Sequence, residues 1–265
     1  MSGFYIGVDG VARKVKGGYI GVDGVARKIK KGYIGDENGV ARLCWTSFDG
    51  DPVFANNTWE KIVEACQTGN VPSTWNVGDS KTMTIGGSNY TIDIIGKNHD
   101  DYSDGSGKAP LTFQLHGVYE SYYTMNVGDN NGTGWASSNM RQTVLKTVLD
   151  AMPTGVRTAI KDVRKATSVG SASSTITNTV DKLFFPSEIE VFGNTNNSFA
   201  GEGAWYEYYK VNSAAKKYGT DARKWWLRSP YKGNKTSFVV VNTNGTATYS
   251  AANETPVYIS PAFCF

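Results

Sequence analysis

Groups capable of acid–base or nucleophilic work are scarce in this chain. His99 and His116 are its only imidazoles, and neither stands in a nucleophile–base pattern such as GxSxG or a Cys/His signature. HExxH, a Walker loop and GxGxxG are also absent. Cys44, Cys66 and Cys264 form an odd set without CxxC or other metal-ligand spacing. They read as buried free thiols of a protein made in a reducing cytosol. The stretch "NHDDYSDGSGK" from Asn98 to Lys108 places Asp100, Asp101 and Asp104 on a glycine-rich loop. Oxygen ligands on such a loop can hold Ca2+, but the spacing does not match D-x-D-x-D-G, and Asx-turn chemistry is the stronger expectation. "NVGDNNGTGW" from Asn126 reads the same way. These residues predict a binding protein rather than an enzyme, with no cofactor and no metal.

Recognition chemistry is better represented. "EGAWYEYYK" carries Trp205, Tyr206, Tyr208 and Tyr209, and "KWWLRSPYKGNKTSFVVVNTNG" runs from Lys224 to Gly245. Aromatic runs of this kind mostly pack inside, so Trp225, Trp226 and Leu227 are expected to anchor a platform, with Arg228 paired beneath it. The chain beyond Pro230 turns polar and aromatic: Tyr231, Lys232, Asn234 and Lys235, then Thr243, Asn244, Thr246, Thr248, Tyr249, Ser250, Asn253 and Glu254. Tyrosine supplies amphipathic contact area and small polar residues supply adaptable hydrogen bonds, which is the composition of recognition loops. The ligand-binding residues expected are Tyr231, Lys232, Asn234, Lys235, Thr243, Asn244, Thr246, Tyr249, Asn253 and Glu254.

The secondary structure that would carry these residues can be read from periodicity. "NNTWEKIVEACQTG" offers an Asn/Thr cap, then Trp59, Ile62, Val63 and Cys66 at helical spacing, and a Gly stop. "KTMTIGGSNYTIDIIG" predicts a hairpin with strands around Met83–Ile85 and Tyr90–Ile95. "SSNMRQTVLKTVLDAMP" carries one apolar stripe through Met140, Val144, Leu145, Val148, Leu149 and Met152. Ser137 or Ser138 can cap that helix and Pro153 stops it. A second short helix is expected around Val156–Val163. "TSFVVVNTNGTATYSA" predicts two strands about an Asn244-Gly245 turn, and "VYISPAFCF" a closing strand. Helices set against short irregular strands make an α+β domain over 46–265.

Residues 1–45 are different. Tyr5, Tyr19 and Tyr33 mark a fourteen-residue period, as do Gly7, Gly21 and Gly35. Each copy reads as strand, turn, strand. Asp9-Gly10, Asp23-Gly24 and Asn38-Gly39 are the dipeptides that best tolerate positive φ in two-residue hairpin turns. One such hairpin is marginal in water, so the segment is expected to form a small β-stalk completed by oligomerisation. It holds eight Lys/Arg against four Asp/Glu, so of the net charge of +3 it carries +4 and the rest of the chain −1. A surplus that small and that local argues against nucleic acid as a partner. The opening "MSGFYIGVDG" lacks a basic region followed by an apolar core, and no stretch approaches a membrane span. Neither a signal peptide nor membrane insertion is therefore expected.

Six segments in order, "FQLHGVYESYYTMN", "GWASSNMRQTVL", "DKLFFPSEIEVFG", "EGAWYEYYK", "WWLRSPY" and the terminal "PAFCF", resemble a domain family of gut Firmicutes and their phages and prophages marked by WWLRSP and PAFCF. That domain is similar to the C-type-lectin fold of formylglycine-generating enzymes and of the variable tropism proteins of diversity-generating retroelements. The GYIGVDGVARK repeats resemble those that precede this domain in phage structural proteins. The resemblance implies a C-type-lectin-like domain over 46–265 on a trimeric stalk. It also implies a receptor-binding protein of the virion tail, assembled in the host cytoplasm, that meets a host-cell surface glycan or protein and contacts other tail proteins through its N-terminal segment. A bacterial surface adhesin and a virion-associated polysaccharide-degrading enzyme are the alternatives. The catalytic cysteine pair of formylglycine-generating enzymes is not matched, nor are the EPN, QPD and WND motifs of calcium-dependent lectins. Ser260 stands before Pro261, where retroelement variable proteins carry Arg.

Overall fold

The computed structural model describes residues 5–8, 11–14, 18–29, 31–35, 41–46 and 49–265. The chain divides into two compact units, Met1–Trp75 and Asn76–Phe265.

The first unit opens with three antiparallel hairpins: β1 (Tyr5–Val8) with β2 (Val11–Lys14), β3 (Gly18–Val22) with β4 (Val25–Ile29), and β5 (Lys31–Gly35) with β6 (Ala41–Thr46). Each is a separate two-stranded sheet. In the second, Asp23 and Gly24 take φ of 52° and 76° between the paired Val22 and Val25, as a primed two-residue turn requires. The Asp9-Gly10 and Asn38-Gly39 turns lie outside the described residues. Helix α1 (Trp59–Thr68) starts where Thr58 accepts from the Lys61 amide and ends at Gly69 with φ 67°. The indole of Trp75 meets Phe54 edge-on at 5.3 Å and donates to the Asp51 carbonyl.

The second unit is an α+β domain built on several small antiparallel sheets. Its largest has the order β17-β9-β8-β7, from β7 (Ser80–Ile85), β8 (Ser88–Lys97), β9 (Leu111–Leu115) and β17 (Ala262–Cys264). Every residue of β9 and β17 is buried, so the terminal "PAFCF" is core. A π-turn over Met140–Val144 leads into α2 (Leu145–Ala151). The Arg141 amide donates to Ser138 Oγ, and Met140, Val144, Leu145, Val148 and Met152 are buried as the stripe predicts. The next helix, α3 (Thr154–Ala159), is shorter than expected. Val163 leaves the helical path because it pairs with Asp181 in the hairpin of β10 (Val163–Ser168) and β11 (Ile176–Asp181).

Helix α4 (Glu188–Phe192) carries a capping box between Ser187 and Glu190. Helix α5 (Glu207–Val211) and the short hairpin of β12 (Lys216–Tyr218) and β13 (Asp221–Arg223) come next. A three-stranded sheet then runs β14 (Trp225–Pro230), β15 (Ser237–Val241) and β16 (Ala247–Ala251). β14 and β15 are buried throughout, whereas β16 is the partly exposed outer strand. No helix among the described residues is long and apolar enough to cross a membrane.

Candidate functional site

The WWLRSP strand is the platform on which the polar loops stand. Trp225, Trp226 and Leu227 are fully buried, and the two indoles donate to the carbonyls of Ala214 and Tyr123. Arg228 is also fully buried. Its fork holds both Glu190 carboxylate oxygens and donates to the carbonyls of Ala166, Phe185 and Glu202. Glu190 then accepts from Lys165 Nζ at 2.7 Å, and the same ammonium reaches Asp100 at 2.6 Å. This chain of alternating charge runs through the core and joins α4, β10 and β14.

His99, Asp100 and Glu190 bring their ligand atoms within 4.8 Å of one another, a geometry a metal ion could use. Lys165 Nζ already bridges the two carboxylates, so the cation between them is the protein's own. Burial alone would raise Asp100, yet the Lys165 and His99 charges hold it down to about 2. The other two acids of the Asn98–Lys108 loop go elsewhere. Asp101 pairs with Lys108 at 3.0 Å, and Asp104 accepts the Ser106 amide in an Asx-turn. Glu202 takes hydrogen bonds from Thr167, Ser168 and Ser229 but forms no ion pair among the described residues, and burial raises it against the pull of Arg228. Cys66 and Cys264 are free and buried, with burial pushing the Cys66 thiol up to about 12. The side chain of Cys44 lies outside those described.

The ten residues expected to bind ligand fall into two groups along one hairpin. Tyr231 and Tyr249 come together, their rings stacked at 3.9 Å and 13°. Tyr249 stands opposite Val239 on β16 and is 48% exposed. Tyr231 folds back over Gly233, where a Cβ would lie 2.6 Å from the tyrosine ring, so a side chain there would push the ring aside. Lys232 is tied to this end by Nζ on the Thr195 carbonyl. Asn234 is spent on the loop itself, accepting the amides of Thr236 and Ser237. Lys235 is exposed, and its carbonyl accepts the Asn131 amide. Asn253 is exposed, and Glu254 pairs with Lys224 at 2.9 Å. Thr243, Asn244 and Thr246 sit in the turn beyond Val241 and Ala247, four strand steps, or about 13 Å, from the Ser237–Ala251 pair that borders the 231–236 loop. There Asn244 accepts from Thr246.

Two contributors escaped the sequence reading. Asn131, fully buried, donates its side-chain amide to the carbonyls of Asn234 and Ser237 and so holds the 231–236 loop. It lies 103 residues from Asn234 in the chain, beyond the reach of any spacing argument. The other is the pairing of His116, just past β9, with the buried Asp93 on β8, Nδ1 to Oδ2 at 2.8 Å, again residues that only the fold makes neighbours.

Residues 115–265 match a family model described as a domain of unknown function, DUF6273. No curated protein and no solved structure matches the chain.

Proposed function

We propose that this chain, which belongs to the DUF6273 family, is a receptor-binding protein of a phage or prophage tail that recognises a host-cell surface molecule. In this reading residues 46–265 form a C-type-lectin-like ligand-binding domain, and residues 1–45 form a β-repeat stalk that trimerises the chain and meets other tail proteins. The observation that carries it is the stacked Tyr231–Tyr249 pair on a rigid base. The ring of Tyr249 on β16 stacks with that of Tyr231, just past the end of β14, beside a sheet whose other two strands are wholly buried, flanked by exposed Lys232, Lys235 and Asn253. Rigid tyrosine area with polar neighbours favours recognition, because little side-chain entropy is lost when a partner docks. The resemblance of the WWLRSP and PAFCF segments and of the GYIGVDGVARK repeats to phage-borne domains supports the setting. Presentation of several weak sites on one trimer suits a repetitive cell surface.

Adsorption of the purified full chain to candidate gut Firmicutes cells tests this, with Tyr249→Ala beside the wild type. Because Tyr249 is half exposed, its removal leaves the core intact. Adsorption is expected for the wild type and to weaken at least tenfold in the variant, about 1.4 kcal/mol. Adsorption that survives Tyr249→Ala unchanged, or is absent for every strain, overturns it.

A further inference from the structure

A second concave feature lies away from the tyrosine pair. Residues 88–91 at the start of β8, the 116–120 loop after β9 and the tip of the β12–β13 hairpin enclose an open groove of about 260 Å3. Its walls are tied together. The Val118 amide donates to the Lys217 carbonyl, and a Cβ on Gly117 would lie 2.4 Å from that oxygen. The buried Lys216 donates to the carbonyls of Leu115 and His116, which fixes the loop from behind.

His116 and Glu120 are two of the polar side chains that line this groove. Among the described residues, His116 is held by a buried carboxylate. Asp93, 3% exposed, accepts from Nδ1 and also from the Tyr208 hydroxyl at 2.9 Å. A carboxylate on Nδ1 sets the neutral imidazole in the tautomer whose Nε2 carries a lone pair. The ring is largely exposed, and Nε2 has no partner among the described residues. Glu120 lines the groove on the same loop, one oxygen taken by Ser88 Oγ at 2.8 Å. Two acceptors therefore wait for donors. Tyr218, 44% exposed, adds a flat apolar surface, and Lys217 on the rim balances the charge of Glu120.

We infer that this groove binds one unit of a neutral saccharide. Hydroxyl groups donate to Nε2 and to the free Glu120 oxygen while accepting from neighbours, which a phosphate or carboxylate cannot do. The balanced charge gives no advantage to an ionic ligand, and Tyr218 suits the C–H face of a sugar ring. His116 and Glu120 contact the sugar, while Asp93 is a positioning residue that acts through His116. The inference rests on the surface-recognition reading and names its ligand class at a separate place on the domain.

The test is amide NMR titration of the 15N-labelled full chain with neutral N-acetylglucosamine, galactose, glucose and rhamnose as methyl glycosides. At least one is expected to shift Thr91, Gly117 and Gly219, and to bind at least tenfold more weakly to His116→Ala and Tyr218→Ala but equally to Tyr249→Ala. Asp93→Asn is expected to weaken binding and to change the imidazole 15N shifts, a tautomer signature that mere loss of packing would not give. No shift with any of the four, or unchanged affinity in both groove variants, overturns the inference. Saccharide binding in the groove without adsorption to any cell removes the tail-receptor reading and leaves the groove. Adsorption without saccharide binding does the reverse.

Discussion

Arg228 and Lys216 show how differently two buried cations are accommodated. Arg228 spends its fork on Glu190 and three carbonyls, a geometry that a point charge cannot reproduce. Arg228→Lys should therefore cost about 3 kcal/mol or more in urea unfolding, since Glu190 loses its bidentate partner and buried carbonyls lose donors. Lys216 has carbonyl partners but, among the described residues, no carboxylate in contact, and burial pushes its ammonium down to about 7 against the pull of Asp93. Its folded-state value is thus below its unfolded one of 10.5. Between these two values the unfolded chain binds the extra proton, so stability rises with pH across that window. Lys216→Met removes this contribution. The wild-type gain from pH 7 toward 10.5, followed by chemical denaturation, should shrink in the variant, and identical slopes would refute the assignment.

Elements here are held by contacts at their ends as much as by their own propensity. The β12–β13 hairpin has three pairs and would not persist alone. It is fastened where Gly117 lets the 116–118 backbone approach Lys217. Gly117→Ala forces a Cβ into that carbonyl and should destabilise the domain by about 2 kcal/mol or more. Hydrogen exchange is expected to rise first at Val118 and in β12–β13, and a uniform change across the domain would contradict this anchoring. Helices α1 and α2 and the β7–β8 and β15–β16 hairpins were legible from their apolar periods and caps, because each is decided by local spacing. The Val156–Val163 helix was not, because pairing of Val163 with Asp181 depends on a strand thirteen residues further on.

Taken as a molecule, the chain has one unit with a dense polar and apolar core and one that begins with thinly covered hairpins. Tyr19, Ile20, Val25 and Tyr33 are more than half exposed in those hairpins, and single hairpins are marginal in water. We propose that other copies of the chain cover them. Light scattering should give a trimer for the full chain and a monomer for a chain beginning at residue 46. A monomeric full chain would exclude the trimeric stalk and leave a single-site surface module.

The fourteen-residue period, the Asp23-Gly24 turn, the burial of Trp225, Trp226 and Leu227 and the pairing of Arg228 were already written in the order of residues. They depend on period, on φ preference and on the high cost of an unpaired buried charge. Which loops meet was left to the packing of the sheets. The fold stacked Tyr231 on Tyr249 and sent Thr243, Asn244 and Thr246 to the opposite end of the hairpin, because the strand register separates residues that composition had grouped. It also brought Asp93 to His116 and Asn131 to the 231–236 loop across many residues of chain. Such pairs leave no local trace, since their spacing is set by sheet order and not by any period along the backbone.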